Sequence, residues 1–196
     1  MKPSFPELAA EGGGSAPALG MIECAGIADG FAAADRIVKA APVKLLLCRP
    51  TSPGKHLTLF CGDVAPVTSA LRAGVEGLAT PPLDTLLLPN ADPDVLLALV
   101  TPRRNGAIDA AGIVECTTVA TLLVAADLAV KTADVVLLTL RAAAGLGGKS
   151  FFVCAGEVSQ VTAAIHAAAG FAREREKLAG SVVLAQPHRD LEAWLQ

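Results

Sequence analysis

Charge is scarce in this sequence. Lys, Arg, Asp and Glu make up 18% of its 196 residues, against 53% hydrophobic residues. A soluble monomer needs a charged skin, so the surplus apolar surface is expected to lie between subunits. Aromatic residues are scarcer still at 4%, with no tyrosine and a single tryptophan. The basic residues are scattered and the formal net charge is −3, which excludes the basic, aromatic-lined stripe of a nucleic-acid-binding surface. No apolar run approaches the ~20 residues of a membrane helix; Glu115, Lys131, Asp134 and Arg141 interrupt the most apolar region.

The chain also lacks a basic-then-apolar leader and any C-x-x-C. Its five cysteines, Cys24, Cys48, Cys61, Cys116 and Cys154, are odd in number. They are expected to be reduced, buried thiols of a cytoplasmic protein rather than a disulfide or metal set. His56, His166 and His188 have no carboxylate or cysteine at ligand spacing, so neither metal nor cofactor is expected. No Ser-His-Asp or paired-carboxylate arrangement is present, and enzymatic activity is not expected. Gly145–Ser150 (GLGGKS) nearly ends a phosphate-binding loop, but Ala143 stands where that motif needs Gly. The following F-F-V-C reads as a strand, where the motif needs a helix.

What the chain does have is a repeat of itself. Residues 18–49 align with residues 110–141 without a gap, and fifteen of the 32 positions are identical. Chance would give roughly three in so alanine-rich a chain. Gly20/Gly112, Glu23/Glu115, Cys24/Cys116, Asp35/Asp127, Lys39/Lys131 and Arg49/Arg141 are among the pairs. The match then breaks and resumes two positions out of step, with Gly54-Lys55 opposite Gly148-Lys149. The break falls between two apolar runs, where a loop is expected.

Each copy reads as strand, helix, strand, loop, strand, helix, strand and a closing helix. LGMIEC is a short apolar strand. Phe31, Ala34, Val38 and Ala41, and in the second copy Leu123, Ala126, Val130 and Ala133, recur at helical spacing. VKLLLCR and VVLLTLR read as buried strands, KHLTLFCGD and KSFFVCAGE as the strands that follow the loop. VAPVTSALRAG and VSQVTAAIHAAAG are second helices, TLLLPN and SVVLAQ fourth strands, and PDVLLALV and RDLEAWL closing helices. The order βαββαβ predicts an α/β (α+β) ferredoxin-like fold in two tandem copies. A four-stranded sheet with helices on one face leaves its other face and its edges to be covered, and oligomerisation does this. The predicted organisation is a flexible Pro/Gly/Ser-rich extension over 1–17, a first domain over 18–105 and a second over 106–196.

With these residues in view, both copies resemble the bacterial microcompartment shell domain. A-L-G-M-I-E, A-A-D-R-I-V-K-A-A and G-D-V in the first copy, and Q-P-H-R-D-L-E in the second, are similar to that domain's motifs. The likeness covers residues 18–196 and, among tandem-domain members, is to those of propanediol-utilisation compartments. It implies a homotrimer: six domains in a flat, pseudohexameric tile with a central pore for small polar metabolites. Such tiles would meet other shell proteins edge to edge around encapsulated enzymes, as part of the shell of a cytoplasmic microcompartment.

The resemblance also assigns residues. The loop at the break would line the pore: Thr51, Ser52, Pro53 and Gly54 from the first copy; Ala144, Gly145, Leu146, Gly147 and Gly148 from the second. Lys39 and Lys131 would lie at the tile edge, with Asn90 and Gln186 in place of the family's edge arginine. Propanediol-type members carry a cysteine in C-P-G-K and hold an iron–sulfur cluster at the pore. Here the run is S-P-G-K, and Ser52 is a poor substitute for a thiolate ligand, so no cluster is expected. Two other readings remain: a trimeric small-molecule-binding or signalling protein of ferredoxin-like fold, and a pore-bound iron–sulfur redox conduit.

Overall fold

The computed structural model describes residues 17–101, 108–143, 145 and 147–195. The 1–17 extension and the link at 102–107 thus fall almost wholly outside the described residues. The chain divides into two compact units between Pro93 and Asp94.

The first copy runs β1 (Ala18–Cys24), α1 (Ile27–Ala40), β2 (Lys44–Thr51), β3 (Lys55–Gly62), α2 (Val64–Glu76), β4 (Asp84–Leu88) and α3 (Pro93–Val100). The second repeats it as β5 (Ala110–Cys116), α4 (Val119–Thr132), β6 (Val136–Arg141), β7 (Ser150–Gly156), α5 (Val158–Glu174), β8 (Leu178–Ala185) and the short α6 (Arg189–Glu192). The sheets have the orders β2-β3-β1-β4 and β6-β7-β5-β8. Every pairing is antiparallel, the arrangement of a split βαβ unit. Even an irregularity repeats. The register shifts between Leu45 and Leu47 in β2 and between Leu137 and Thr139 in β6, so Leu46 and Leu138 each occupy a bulge.

Strand alternation sends Ile22 and Cys24 of β1 and Phe60 of β3 to the helical face. There they form one core with Ala33 and Ile37 of α1 and Val67 and Ala70 of α2. The second sheet is packed on its opposite face as well. Ala111, Leu138, Val153 and Ala155 form a cluster with Leu195, just beyond α6.

The helix expected from the spacing of Phe31, Ala34, Val38 and Ala41 is present as α1. Its buried stripe is Gly30, Ala33, Ala34 and Ile37, so only Ala34 of that series belongs to it. Phe31 and Val38 are exposed, and Ala41 is the C-cap. The helix lies close on its sheet through Gly30, where an added Cβ would sit 2.2 Å from His56 Cγ. That approach turns the two larger apolar side chains outward.

Candidate functional site: the loops at the break of the repeat

The loops that break the repeat join equivalent strands. In the first copy Thr51 ends β2 opposite Lys55, which opens β3. The Gly54 N–H donates to the Thr51 carbonyl at 3.0 Å, closing a tight turn. Gly54 has φ of 89°, a left-handed conformation that glycine adopts freely. Ser52, Pro53 and Gly54 are exposed. The Thr51 hydroxyl is buried and has no hydrogen-bond partner among the described residues.

In the second copy the chain leaves β6 at Arg141 and re-enters at Ser150. Gly145, Gly147 and Gly148 have φ of 71°, 59° and 92°. Ala144 and Leu146 lie outside the described residues. An added Cβ at Gly54, Gly145 or Gly147 would meet nothing within 4 Å. Within one chain these glycines therefore serve turn geometry and leave the loop tips uncrowded. The GLGGKS run leads into strand β7 and not into a helix.

An ion pair anchors the base of each loop. Lys55, next to Gly54, places Nζ 3.1 Å from Glu23 Oε1; Lys149, next to Gly148, places Nζ 3.0 Å from Glu115 Oε1. Sequence comparison shows both pairs as repeated residues without joining them. The join depends on strand register: Glu23 lies opposite Leu57 and Glu115 opposite Phe151, so each carboxylate on the central strand comes within reach of the lysine at the head of its neighbour.

The residues singled out for the tile edge lie outside the loops. Lys39 and Lys131 end α1 and α4, and each donates to the aspartate one turn back, Asp35 or Asp127, at 2.6 Å. Asn90 and Gln186 follow β4 and β8 and share a left-handed backbone, with φ of 53° and 48°. That shared strain marks them as equivalent positions. His166 is on the surface, and His188 caps α6 by accepting from the Asp190 N–H at 3.2 Å. His56 is buried, and desolvation holds its pKa below the usual value, favouring neutral imidazole.

Folding also brings together what the sequence kept apart. Pairing of β2 with β3 puts Cys48 Sγ 3.8 Å from His56 Nε2, although the two are not at ligand spacing in the sequence. Among the described residues no three such side chains gather into a metal site. All five cysteines are free; Cys48 is half-buried and the rest are buried. Burial pushes the Cys61 and Cys116 thiols up to about 11 and Cys154 up to about 12. Such thiols stay protonated and inert. The described loop residues offer hydroxyls and amides but no thiolate, so they do not fit an iron–sulfur cluster.

Among the described residues no helix is long and apolar enough to cross a membrane. The family model of the BMC domain matches residues 18–91 and again 110–187. The bacterial microcompartment shell protein PduT of Citrobacter freundii is 37% identical over 179 residues, 91% of this chain and 96% of that protein. A solved structure of a microcompartment protein from Desulfitobacterium hafniense is 42% identical, with a TM-score of 0.87, covering 90% of this chain and 98% of that one. A fused permuted hexameric shell protein of the RMM microcompartment, 20% identical with a TM-score of 0.56 over 80% of this chain and 81% of its own, shares the fold. With the same domain matched twice and the same sheet built twice, this chain belongs to the BMC-domain family as a tandem-domain structural shell protein of a bacterial microcompartment.

Proposed function

We propose that three copies of this chain close into a flat, six-domain tile whose central pore is lined by the Thr51–Gly54 and 144–148 loops. Small polar metabolites pass through it. Lys39, Lys131, Asn90 and Gln186 lie at the edges, where tiles meet other shell proteins. The chain acts as structure and conduit, with no catalysis of its own.

One observation carries the trimer: the two copies differ in what they leave bare. Ile27 and Phe31 of α1 are exposed, Phe31 at 51%, whereas their equivalents Val119 and Leu123 of α4 are fully buried. The Asp35 side chain is exposed and that of Asp127 is buried. Repeated domains have repeated faces. A face that is buried in one copy and apolar but bare in the other calls for a neighbour of the same kind, and a closed ring supplies it.

The pore reading is supported by the loops. They sit at equivalent places, and among the described residues an added Cβ at Gly54, Gly145 or Gly147 would meet nothing within 4 Å. In a trimer Ser52 recurs three times around one axis. Hydroxyls and backbone amides there favour polar or anionic solutes over apolar ones. Light scattering with negative-stain imaging of the same sample tests the assembly. The expected result is the mass of three chains with six-sided particles, sheets or tubes. A monomer or dimer without higher assembly overturns the tile and favours a ligand-binding protein of the same fold.

A further inference from the structure

The closing helices differ between the copies as well, and in the opposite sense to α1 and α4. Aligned on the left-handed Asn90 and Gln186, Val95 and Ala98 of α3 correspond to Leu191 and Trp194 of α6 and the turn after it. Val95, Leu96 and Ala98 are buried; Leu191 is exposed, and Trp194 is 84% exposed. The helix α3 ends the first copy in sequence, yet from Asp94 onward it belongs to the second compact unit, the one that contains α4.

Two kinds of face are therefore present twice. The first-helix face is bare in the first copy and buried in the second. The closing-helix face is buried in the first copy and bare in the second. The buried versions, on α3 and α4, both belong to one compact unit. The bare versions lie on the first helix of the first copy and at the closing helix of the second.

From this we propose that Leu191 and Trp194 of one chain, together with Ile27 and Phe31 of the next, form the joint between chains. The occupant of both bare faces is a second copy of this chain. The joint is heterologous: two different patches meet head to tail, and the contact repeats until the ring closes. Trp194 suits an anchoring role, since a large aromatic in the middle of an interface contributes heavily to association. It also explains why the one tryptophan of so aromatic-poor a chain stands in water when the chain is alone. The joint rests on the homotrimer proposed above and deepens it by naming the residues that hold it.

Because Trp194 is the only tryptophan, its fluorescence reports on the joint without any substitution. Acrylamide quenching of the full-length chain would be measured at concentrations where light scattering gives the mass of three chains, and again after dilution to single chains. The expected result is a quenching constant several-fold lower in the trimer, with emission shifting to the red on dilution. Phe31→Asp, on the partner face, is expected to raise the concentration for half-assembly at least tenfold. A trimer by mass whose Trp194 is quenched as freely as in the single chain overturns the joint and leaves the trimer standing. So does a Phe31→Asp chain that assembles at the unchanged concentration. A chain that stays single at every concentration overturns the trimer, and the joint with it.

Discussion

Gly30 and His56 trade volume with Leu122 and Ser150. At these two equivalent places the first copy carries none and large, the second large and small. In the first, His56 fills the space beneath α1, and a Cβ on Gly30 would lie 2.2 Å from its ring. In the second, the Ser150 hydroxyl donates to the Thr118 carbonyl at 3.0 Å, and Leu122 is fully buried. Interiors tolerate paired changes that conserve volume and resist single ones that add it. Gly30→Leu alone is therefore expected to cost about 3 kcal/mol or more in urea unfolding. Gly30→Leu with His56→Ser is expected to recover most of that loss, a strong coupling in a double-mutant cycle. Equal losses in the single and double variants would reject the volume trade. The sequence shows both differences between the copies, but they are 26 positions apart in the chain (30 to 56). Only strand pairing and helix docking make them one exchange.

At the scale of elements, apolar periodicity gave the helices and strands in the right order, because alternation and 3.6-residue spacing follow from backbone geometry. The face of α1 was legible only in part. Phe31 and Val38 are apolar like core residues, so a stripe through them reads as buried. They serve a surface, and the tight approach at Gly30 decides which side faces in. Sequence carries no mark that separates an apolar residue left on the surface from one kept for the core. The ion pairs beneath the loops show the same limit: both glutamates and both lysines stand out as repeated, while their meeting is a matter of register. The two pairs are predicted to differ in weight. The Glu23 side chain is 5% exposed and that of Glu115 is 39% exposed. Removing Lys55 strands a carboxylate in a poorly solvated place, whereas removing Lys149 leaves one that water reaches. Lys55→Met is expected to destabilise by about 2 kcal/mol, and Lys149→Met by about 1 kcal/mol or less. Glu23→Gln combined with Lys55→Met should regain part of the first loss. Chemical denaturation of the three variants checks the order, and a larger loss at Lys149 would contradict it.

At the scale of the whole molecule, the repeat was the most legible feature, because two copies of one scaffold check each other position by position. The proposed edge residues rest on the resemblance alone, since an edge residue is defined by a partner that a single chain does not contain. Lys39 and Lys131 illustrate this. Each ends its helix, where a positive charge suits the dipole, and each pairs with an aspartate one turn back. Those facts alone describe an ordinary solvated lysine. The burial contrast adds something. Along α4 the face is buried at Val119, Leu123 and Asp127, yet Lys131 at its end stays exposed. The residue at the tip thus stays on the surface where the rest of the face is buried, which is compatible with an edge contact between tiles. Each such contact between exposed charged groups would contribute about 1 kcal/mol or less, but the proposed six-sided tile would make them together, and linked weak contacts multiply. Lys39→Ala with Lys131→Ala is therefore expected to leave the mass of three chains unchanged and to abolish extended sheets in negative stain. Loss of the trimer would place these lysines inside the tile, and sheets as extensive as those of the unaltered chain would remove them from the edge.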